Sequence, residues 1–202
     1  MESLLTYIIN NFGHLGIAFL MALENVFPPL PSEVVLSFGG FMTTQSSLGV
    51  TGVVVSATIG SVGGATVLYY FGKFQAQKRM EKIVDKWGHI LPIDKEDIYK
   101  TNDWFSKFQS VAVFICRFIP VMRSIISIPA GMVHMNILLF LTLTTVGTLI
   151  WNTVLVYLGA SAGGSWQTIV GYMDIYSKIM YGILIAVVII LIFLLIRKKK
   201  KR

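Results

Sequence analysis

Long apolar segments make up most of this chain, and they constrain its fold more than any other feature. Of its 202 residues, 54% are hydrophobic and 13% are charged, and that charged fraction is about half the value usual in soluble domains. In the hydrocarbon core of a bilayer every backbone N–H and C=O must be hydrogen-bonded within the protein, and a helix meets this demand by itself. The sequence therefore predicts an all-α integral membrane protein with a single membrane domain.

The segments differ in length, and these differences predict the topology. Residues 49–72 and 137–160 are long enough to cross the bilayer, and residues 178–196 form a last predicted span. Residues 1–14 contain a short amphipathic stretch that suits the membrane interface. The one long polar segment, 73–107, is predicted to form two amphipathic helices.

The placement of basic residues predicts the cytoplasmic side. Residues 73–107 contain eight Lys and Arg against six Asp and Glu, and six of the chain's seventeen basic residues form the tail 197–202. By the positive-inside rule both segments, and with them the C-terminus, lie in the cytoplasm. A basic run beside a span suits an anionic lipid surface, so the net charge of +7 gives no reason to predict nucleic-acid binding.

Two further apolar segments, 15–45 and 108–135, are interrupted by proline. Proline ends a helix because it has no N–H and its ring clashes with the preceding turn. The arms on either side are too short to span alone, so each segment is predicted to be a re-entrant hairpin whose second arm, in 108–135, is interrupted again at Pro129. The predicted breaks are at Pro28, Pro29 and Pro31 in the first hairpin and at Pro120 in the second.

The two halves of the chain resemble each other. An offset of 91 residues places Pro29 on Pro120 and Gly40 on Gly131. One span and one polar segment separate the hairpins, so they are predicted to open on opposite faces as two inverted repeats, which are typical of secondary transporters. An offset of 87 aligns Thr58, Gly60, Thr66, Val67, Leu68, Tyr70 and Gly72 with Thr145, Gly147, Thr153, Val154, Leu155, Tyr157 and Gly159.

Four ionisable residues lie within the apolar hairpins: Glu24, Glu33, Arg117 and Arg123. Each costs roughly 2.5–3.5 kcal/mol at a helix centre, so each needs a partner or water. Folding at the proline breaks would bring both pairs toward one cavity. There the two arginines would form an anion site suited to phosphate, with the glutamates as counter-ions or proton carriers. Alternatively, the four residues simply pair with each other and hold the hairpins together.

Two motifs carry a resemblance to a known family. ENVFPPLPSE, residues 24–33, resembles the ExxxPPxPxE signature of the DedA family, whose members share the VTT or SNARE-associated domain. RFIPVMR, residues 117–123, and the PAG at 129–131 resemble its second signature, RFxPxxR…AG. The resemblance covers roughly residues 10–165.

The resemblance implies opposed re-entrant hairpins and lipid transport, often linked to the proton motive force. Short members from Gram-positive bacteria, to which this chain is similar, include undecaprenyl phosphate translocases of the cytoplasmic membrane. By motif position Arg117 and Arg123 would contact the phosphate, and Glu24 and Glu33 would be the functional acids. No cofactor, metal or catalytic residue is implied. The partners would be membrane lipids and polyprenyl phosphate, and a homo-oligomer is compatible with the sequence. Residues 34–72 contain no Asp or Glu, which argues against a proton relay through the further acid that some members carry.

Other functions fit parts of the sequence. A flippase or scramblase for phosphatidylethanolamine or other phospholipids, or a proton-dependent transporter of a small solute, could use the same arginines. A protein-docking role would rest on residues 73–107 instead. A membrane phosphatase is disfavoured, because His14, His89 and His134 are scattered and lack ligand spacing. Trp151, Asn152 and Tyr157 could line a pathway, although bilayer packing explains them equally well.

Overall fold

A computed structural model describes residues 2–26, 32–76, 108–120 and 122–200. Within these ranges all regular secondary structure is helical, so the all-α class is confirmed there. A π-helical turn, Gly72–Ala76, follows α3, and a 3-10 turn, Gly163–Ser165, joins the last two helices. The helices are α1 (Glu2–Val26), α2 (Ser32–Gln45), α3 (Val50–Phe71), α4 (108–116), α5 (Met122–Ile125), α6 (Ser127–Met132), α7 (Ile137–Ala162) and α8 (Trp166–Lys200).

Three stretches of the described helices are long and apolar enough to cross a membrane: Leu5–Val26, Val50–Phe74 and Ile137–Met180. The second and third contain almost all of the spans predicted at 49–72 and 137–160. The first differs from the prediction, which divided this region into an interfacial helix and a hairpin arm too short to span. The division itself has a counterpart in the structure, because α1 is interrupted at Gly13.

Gly13 has a φ of 53° and a ψ of −125°. This left-handed region favours glycine, because a Cβ there would clash with the backbone. The helical parts on its two sides, 2–12 and 14–26, therefore meet at an angle. A substitution at Gly13 would be strained even though an added Cβ would fit sterically, since its nearest neighbour, a side-chain atom of Leu48, would be in ordinary contact at 3.7 Å.

The second proline-containing segment is broken at two points. The chain turns at residues 117–120, between α4 and α5. The sequence placed a further interruption at Pro129, but the structure has it at Ile126, between α5 and α6. Pro129 lies in the first turn of α6, where its missing N–H removes no helical hydrogen bond.

Several predicted features fall outside the described residues. These are the breaks at Pro28, Pro29 and Pro31 and most of the predicted amphipathic helices, from residue 77 to 107. The predicted last span, 178–196, lies within the helical range of α8. The two re-entrant hairpins and their inverted relationship stay predictions.

The spans α3 and α7 pack against each other and run in opposite directions. Near the start of α3, Thr58 accepts a hydrogen bond from the Asn152 amide (3.2 Å). Near its end, the Tyr69 ring packs on Phe140 with centroids 4.8 Å apart. Later positions on α3 thus meet earlier positions on α7, which fixes the antiparallel arrangement at the centre of the molecule.

The helix α2 crosses α7 in backbone contact. A Cβ added to Gly40 would lie 2.1 Å from the carbonyl oxygen of Val156, and one added to Gly159 would lie 2.1 Å from that of Ser37. Only glycine permits this approach, which is typical of helix packing in membranes.

The short helix α6 crosses the end of α3 in the same way. A Cβ on Gly131 would lie 2.0 Å from the carbonyl oxygen of Tyr69, and one on Gly72 would lie 2.2 Å from that of Ile128. The offsets are those of the sequence repeat: Gly131 and Ile128 follow Gly40 and Ser37 by 91 residues. Tyr69 and Gly72 precede Val156 and Gly159 by 87 residues. Each short helix therefore packs on the span that belongs to the other half of the chain.

Candidate functional site

The four ionisable residues singled out in the sequence are all buried. The exposed fraction is 5% for Glu24, 6% for Glu33, 2% for Arg117 and 4% for Arg123. They come from the end of α1, the start of α2, the turn after α4 and the helix α5. A charge that is removed from water requires a partner or a hydrogen-bonding shell, so the contacts of each residue determine what it can do.

Arg123 is paired across the two halves of the chain. Its Nη2 donates a hydrogen bond to Oε2 of Glu24, and the two side chains form a buried salt bridge. Beside it, the hydroxyl of Ser124 makes a long contact of 3.5 Å with Oδ1 of Asn25, whose amide donates to the carbonyl of Met21 (3.2 Å). Two consecutive residues of α5 thus contact two consecutive residues of α1.

Arg117 is held by neutral acceptors. Its Nη1 donates to the carbonyl oxygen of Arg123 (2.7 Å), and its Nη2 donates to Oγ of Ser127 (3.2 Å) and Oγ1 of Thr144 (2.9 Å). The guanidinium carbon lies 5.5 Å from the centroid of the Phe140 ring. Among the described residues its Nε has no acceptor and its charge has no carboxylate partner.

The helix breaks and one glycine explain the position of Arg117. The residue follows α4 in the turn at 117–120, so its side chain can run along α7 toward Thr144. A Cβ at Gly147 would lie 3.0 Å from Cβ of Arg117 and 3.1 Å from its Cγ. Glycine at this position therefore leaves room for the aliphatic part of the arginine, and the break at Ile126 places Ser127 at the start of a new helix beside the guanidinium.

Glu33 lies in the first turn of α2, where the positive end of the helix dipole stabilises a carboxylate. Its own carbonyl oxygen accepts a hydrogen bond from Ser37 (2.6 Å). In the described part of the chain Glu33 has no ion-pair partner. Among the described residues, one glutamate thus pairs with one arginine, and the second residue of each kind has no such pair.

Three aromatic residues border the turn that carries Arg117. The Tyr176 hydroxyl of α8 donates to the carbonyl oxygen of Phe118 (2.9 Å). The Trp151 ring lies between the two, with centroids 6.4 Å from Phe118 and 6.2 Å from Tyr176. Of the residues considered as pathway lining, Asn152 is fully buried, Trp151 is partly buried and Tyr157 is 55% exposed.

Sequence reasoning did not assign Asn25, Ser127, Thr144 or Tyr176 to the site. The signal that could have found the first three is a neutral polar residue within an otherwise apolar helix, because such side chains need hydrogen-bond partners inside the protein. Tyr176 gives a weaker signal, since tyrosine is common at membrane interfaces.

A metal centre has no ligand set within the described ranges, because no three His, Cys, Asp or Glu side chains lie close together there. His14 lies against α3, where a Cβ on Gly52 would be 2.2 Å from its Nε2. His134 lies between α6 and α7 with a φ of 54°, and His89 is outside the described residues.

Apolar spanning helices around a buried polar cluster define an integral membrane protein with an internal site. The VTT domain model matches residues 30–161, well over half of the chain. The protein therefore belongs to the VTT domain (DedA) family, as its two motifs indicated. The match includes Glu33, Arg117 and Arg123 and begins after Glu24.

Relatives extend the similarity to most of the chain. The chain is 51% identical to a protein of Lactococcus lactis subsp. lactis (strain IL1403) named alkaline phosphatase-like protein, over 91% of this chain and 86% of the relative. It is 40% identical to undecaprenyl phosphate transporter A of Staphylococcus aureus (strain NCTC 8325 / PS 47), over 92% of this chain and 91% of that protein. The protein of the same name in Bacillus subtilis (strain 168) is 33% identical over 89% and 86%. No solved structure matches the chain.

Proposed function

We propose that this protein carries a lipid with a phosphate head group, foremost undecaprenyl phosphate, across the bacterial cytoplasmic membrane. The observation that carries the proposal is the environment of Arg117, a buried guanidinium whose described hydrogen bonds all go to neutral acceptors. Two relatives that share about nine tenths of the chain's length are named undecaprenyl phosphate transporter A, which supports the choice of lipid.

A phosphate would supply the negative charge that Arg117 lacks within the described residues. A buried charge without an opposite charge is costly, and the planar guanidinium matches the oxygens of phosphate in a two-pronged contact. Hydroxyl and carbonyl acceptors bind a guanidinium less strongly than an anion does. The hydrogen bonds to Ser127 and Thr144 therefore hold the side chain in place and can be exchanged for a phosphate.

The Glu24–Arg123 pair would act as the switch of the transport cycle. A phosphate bound at Arg117 would lie beside the chain segment that carries Arg123, because Nη1 of Arg117 donates to the backbone carbonyl of Arg123. Competition of the phosphate for Arg123 would release the Glu24 carboxylate, which would then be free to bind a proton. A pair that forms in one state and breaks in another couples ligand binding to a population shift, and Glu33 would be the second acid of this exchange.

The crossings of α2 with α7 and of α6 with α3 support two inverted repeats with re-entrant hairpins. In both crossings the same two glycine contacts recur at the offsets of the sequence repeat. Repeats that hold each other's spans form two bodies that can rock about a shared centre, as in alternating access. The basic tail 197–202 supports a cytoplasmic C-terminus.

Phosphatidylethanolamine is the second candidate substrate. Its head group combines a phosphate with an ammonium, and Glu33 is a buried carboxylate without an ion-pair partner among the described residues. Arg117 would then bind the phosphate while Glu33 binds the ammonium. Undecaprenyl phosphate has no ammonium, so the two lipids make different demands on Glu33.

The experiment is transport by the full chain in liposomes, with labelled undecaprenyl phosphate, phosphatidylethanolamine and an uncharged isoprenoid alcohol. We expect undecaprenyl phosphate to cross fastest, the alcohol to cross at the rate of empty liposomes, and an imposed pH gradient to change the rate for the phosphate. Release of inorganic phosphate is measured in the same samples. Hydrolysis without translocation would show that the protein is an enzyme and not a carrier. Equal rates for all three lipids would show that it is an unselective scramblase.

A further inference from the structure

The indole N–H of Trp151 is a buried donor without a described use. The Trp151 side chain packs between the rings of Phe118 and Tyr176. Among the residues that the structure describes, its Nε1 has no hydrogen-bond acceptor. A buried N–H that lacks an acceptor loses its bonds to water without replacement, which is unfavourable. A phenylalanine would place an aromatic ring here without this cost, so the N–H is expected to have a partner in the working protein.

A second donor of this kind lies nearby, on a side chain that is 98% buried. Nε of Arg117 is also without an acceptor in the described ranges. Arg117 is adjacent to Phe118, and its Cβ and Cγ pack at Gly147 of α7. Trp151 is four residues after Gly147, on the same face of α7, and its ring contacts Phe118. The two N–H groups without a described acceptor therefore belong to side chains on either side of one contact, between residues 117–118 and α7.

The surroundings of Trp151 suit the part of a lipid where a phosphate joins a hydrocarbon chain. Phe118, Trp151 and Tyr176 present apolar ring faces, and the Tyr176 hydroxyl is already bonded to the carbonyl of Phe118. The indole N–H is then the polar group that these three side chains offer to a ligand. Because the donor is neutral, it can orient an anion without adding a second strong charge.

We propose that Nε1 of Trp151 donates a hydrogen bond to an oxygen of the lipid phosphate while Arg117 neutralises its charge. The inference rests on the proposed function and extends it, because it names a specific residue that positions the head group. The aromatic rings of Phe118 and Tyr176 would contact the first carbons of the lipid chain and so direct the phosphate toward the guanidinium.

The test is Trp151→Phe, which removes the N–H and keeps an aromatic ring, in the liposome assay with undecaprenyl phosphate. A hydrogen bond to a charged acceptor corresponds to a factor of about 10 to 100 in affinity. We expect KM to rise by that factor with kcat changed less than about twofold, since the contact orients the bound lipid without breaking a bond. The heat stability of the empty protein should fall only slightly, by the packing lost with the smaller ring, because no described hydrogen bond is lost.

Trp166→Phe is the matched control. Trp166 is equally apolar in its surroundings but packs against Phe38 and Phe41 at the start of α8, so its replacement should leave KM unchanged. An unchanged KM in Trp151→Phe would overturn the inference. If a large loss of heat stability accompanied the unchanged KM, the N–H would have a structural partner such as water. Arg117→Ala separates the two proposals. If this variant transports the lipid normally, the carrier proposal fails. If it is inactive while Trp151→Phe has a normal KM, only the proposed tryptophan contact is refuted.

Discussion

The two arginines of the second motif lie six residues apart and are almost equally buried, yet they have different partners. Arg123 binds Glu24, which belongs to the first half of the chain. The described acceptors of Arg117, the carbonyl of Arg123 and the hydroxyls of Ser127 and Thr144, all belong to the second half. Arg123 therefore connects the halves, whereas the described hydrogen bonds of Arg117 stay within one half, which would leave its charge to the proposed phosphate. Burial alone would not have distinguished these roles.

The largest expected effect is that of Arg117→Ala on transport. If this guanidinium supplies the charge that the phosphate binds, its removal should lower the rate by at least about 100-fold, the value of losing a charge-assisted contact. Arg117→Lys should recover a small part of the rate, because an ammonium keeps the charge and loses the two-pronged geometry. Both variants should insert and remain folded, since the acceptors left behind are neutral.

Lys178→Ala is the control for a lost positive charge. Lys178 forms an exposed pair with Asp174 one turn away on α8 (2.6 Å), and exposed pairs of this kind contribute little to stability. Its transport rate should match that of the unchanged protein. Normal transport by Arg117→Ala would mean that the two arginines do not differ in the way that their contacts indicate.

The second prediction concerns the pair that joins the halves. Glu24→Gln or Arg123→Gln leaves one buried charge without its partner, which typically costs about 3–5 kcal/mol. The double variant Glu24→Gln/Arg123→Gln removes both charges, so it should be more stable than either single variant while still failing to couple transport to a pH gradient. Thermal unfolding of the four proteins in detergent measures the coupling between the two positions.

The same cycle with Glu24 and Arg117 sharpens the contrast. Since Arg117 donates to neutral acceptors, Glu24→Gln and Arg117→Gln should be additive within about 0.5 kcal/mol. Strong coupling between these two would show that Glu24 moves between both arginines, and the division into a connecting and a binding arginine would then be wrong.

Sequence reasoning singled out the four charged residues of the cluster, because ionisable residues are rare within apolar segments. It also predicted helical class and the spans at 49–72 and 137–160, since hydropathy determines both. It could not predict which glutamate pairs with which arginine, because the distance between Glu24 and Arg123 depends on how α1 and α5 pack. The sequence also placed the second interruption at Pro129, whereas the structure has it at Ile126. Proline is tolerated in the first turn of a helix, so its position does not by itself mark where the preceding helix ends.

Sequence reasoning could have marked Ser127 and Thr144 as polar residues in apolar helices, but it could not have assigned them to Arg117. Only the turn at 117–120 brings them to the guanidinium. Gly13 is a similar case: many glycines occur in membrane helices, and the backbone conformation that requires this one appears only in the structure.

The smallest predicted effects come from two glycines, one beside the Glu24–Arg123 pair and one beside Arg117. A Cβ at Gly64 would lie 2.7 Å from the carbonyl oxygen of Ala22 and from Cβ of Asn25, next to Glu24. Gly64→Ala should therefore push α1 away from α3 and lower stability by about 1–3 kcal/mol, as overpacking does. The shift would also weaken the Glu24–Arg123 pair.

Gly147→Ala should be milder, because its Cβ would meet Cβ of Arg117 at 3.0 Å, a looser contact than the 2.7 Å contacts at Gly64. We expect a stability loss under about 1 kcal/mol together with a severalfold rise in KM, since the guanidinium shifts while the fold is kept. Gly63→Ala is the control, because nothing lies within 4 Å of the added Cβ and alanine favours the helix by about 1 kcal/mol. If Gly147→Ala lost stability without a change in KM, the contact between Gly147 and Arg117 would serve packing alone, like the contact between Gly64 and α1. The difference between the two arginines would then not extend to the helices that hold them.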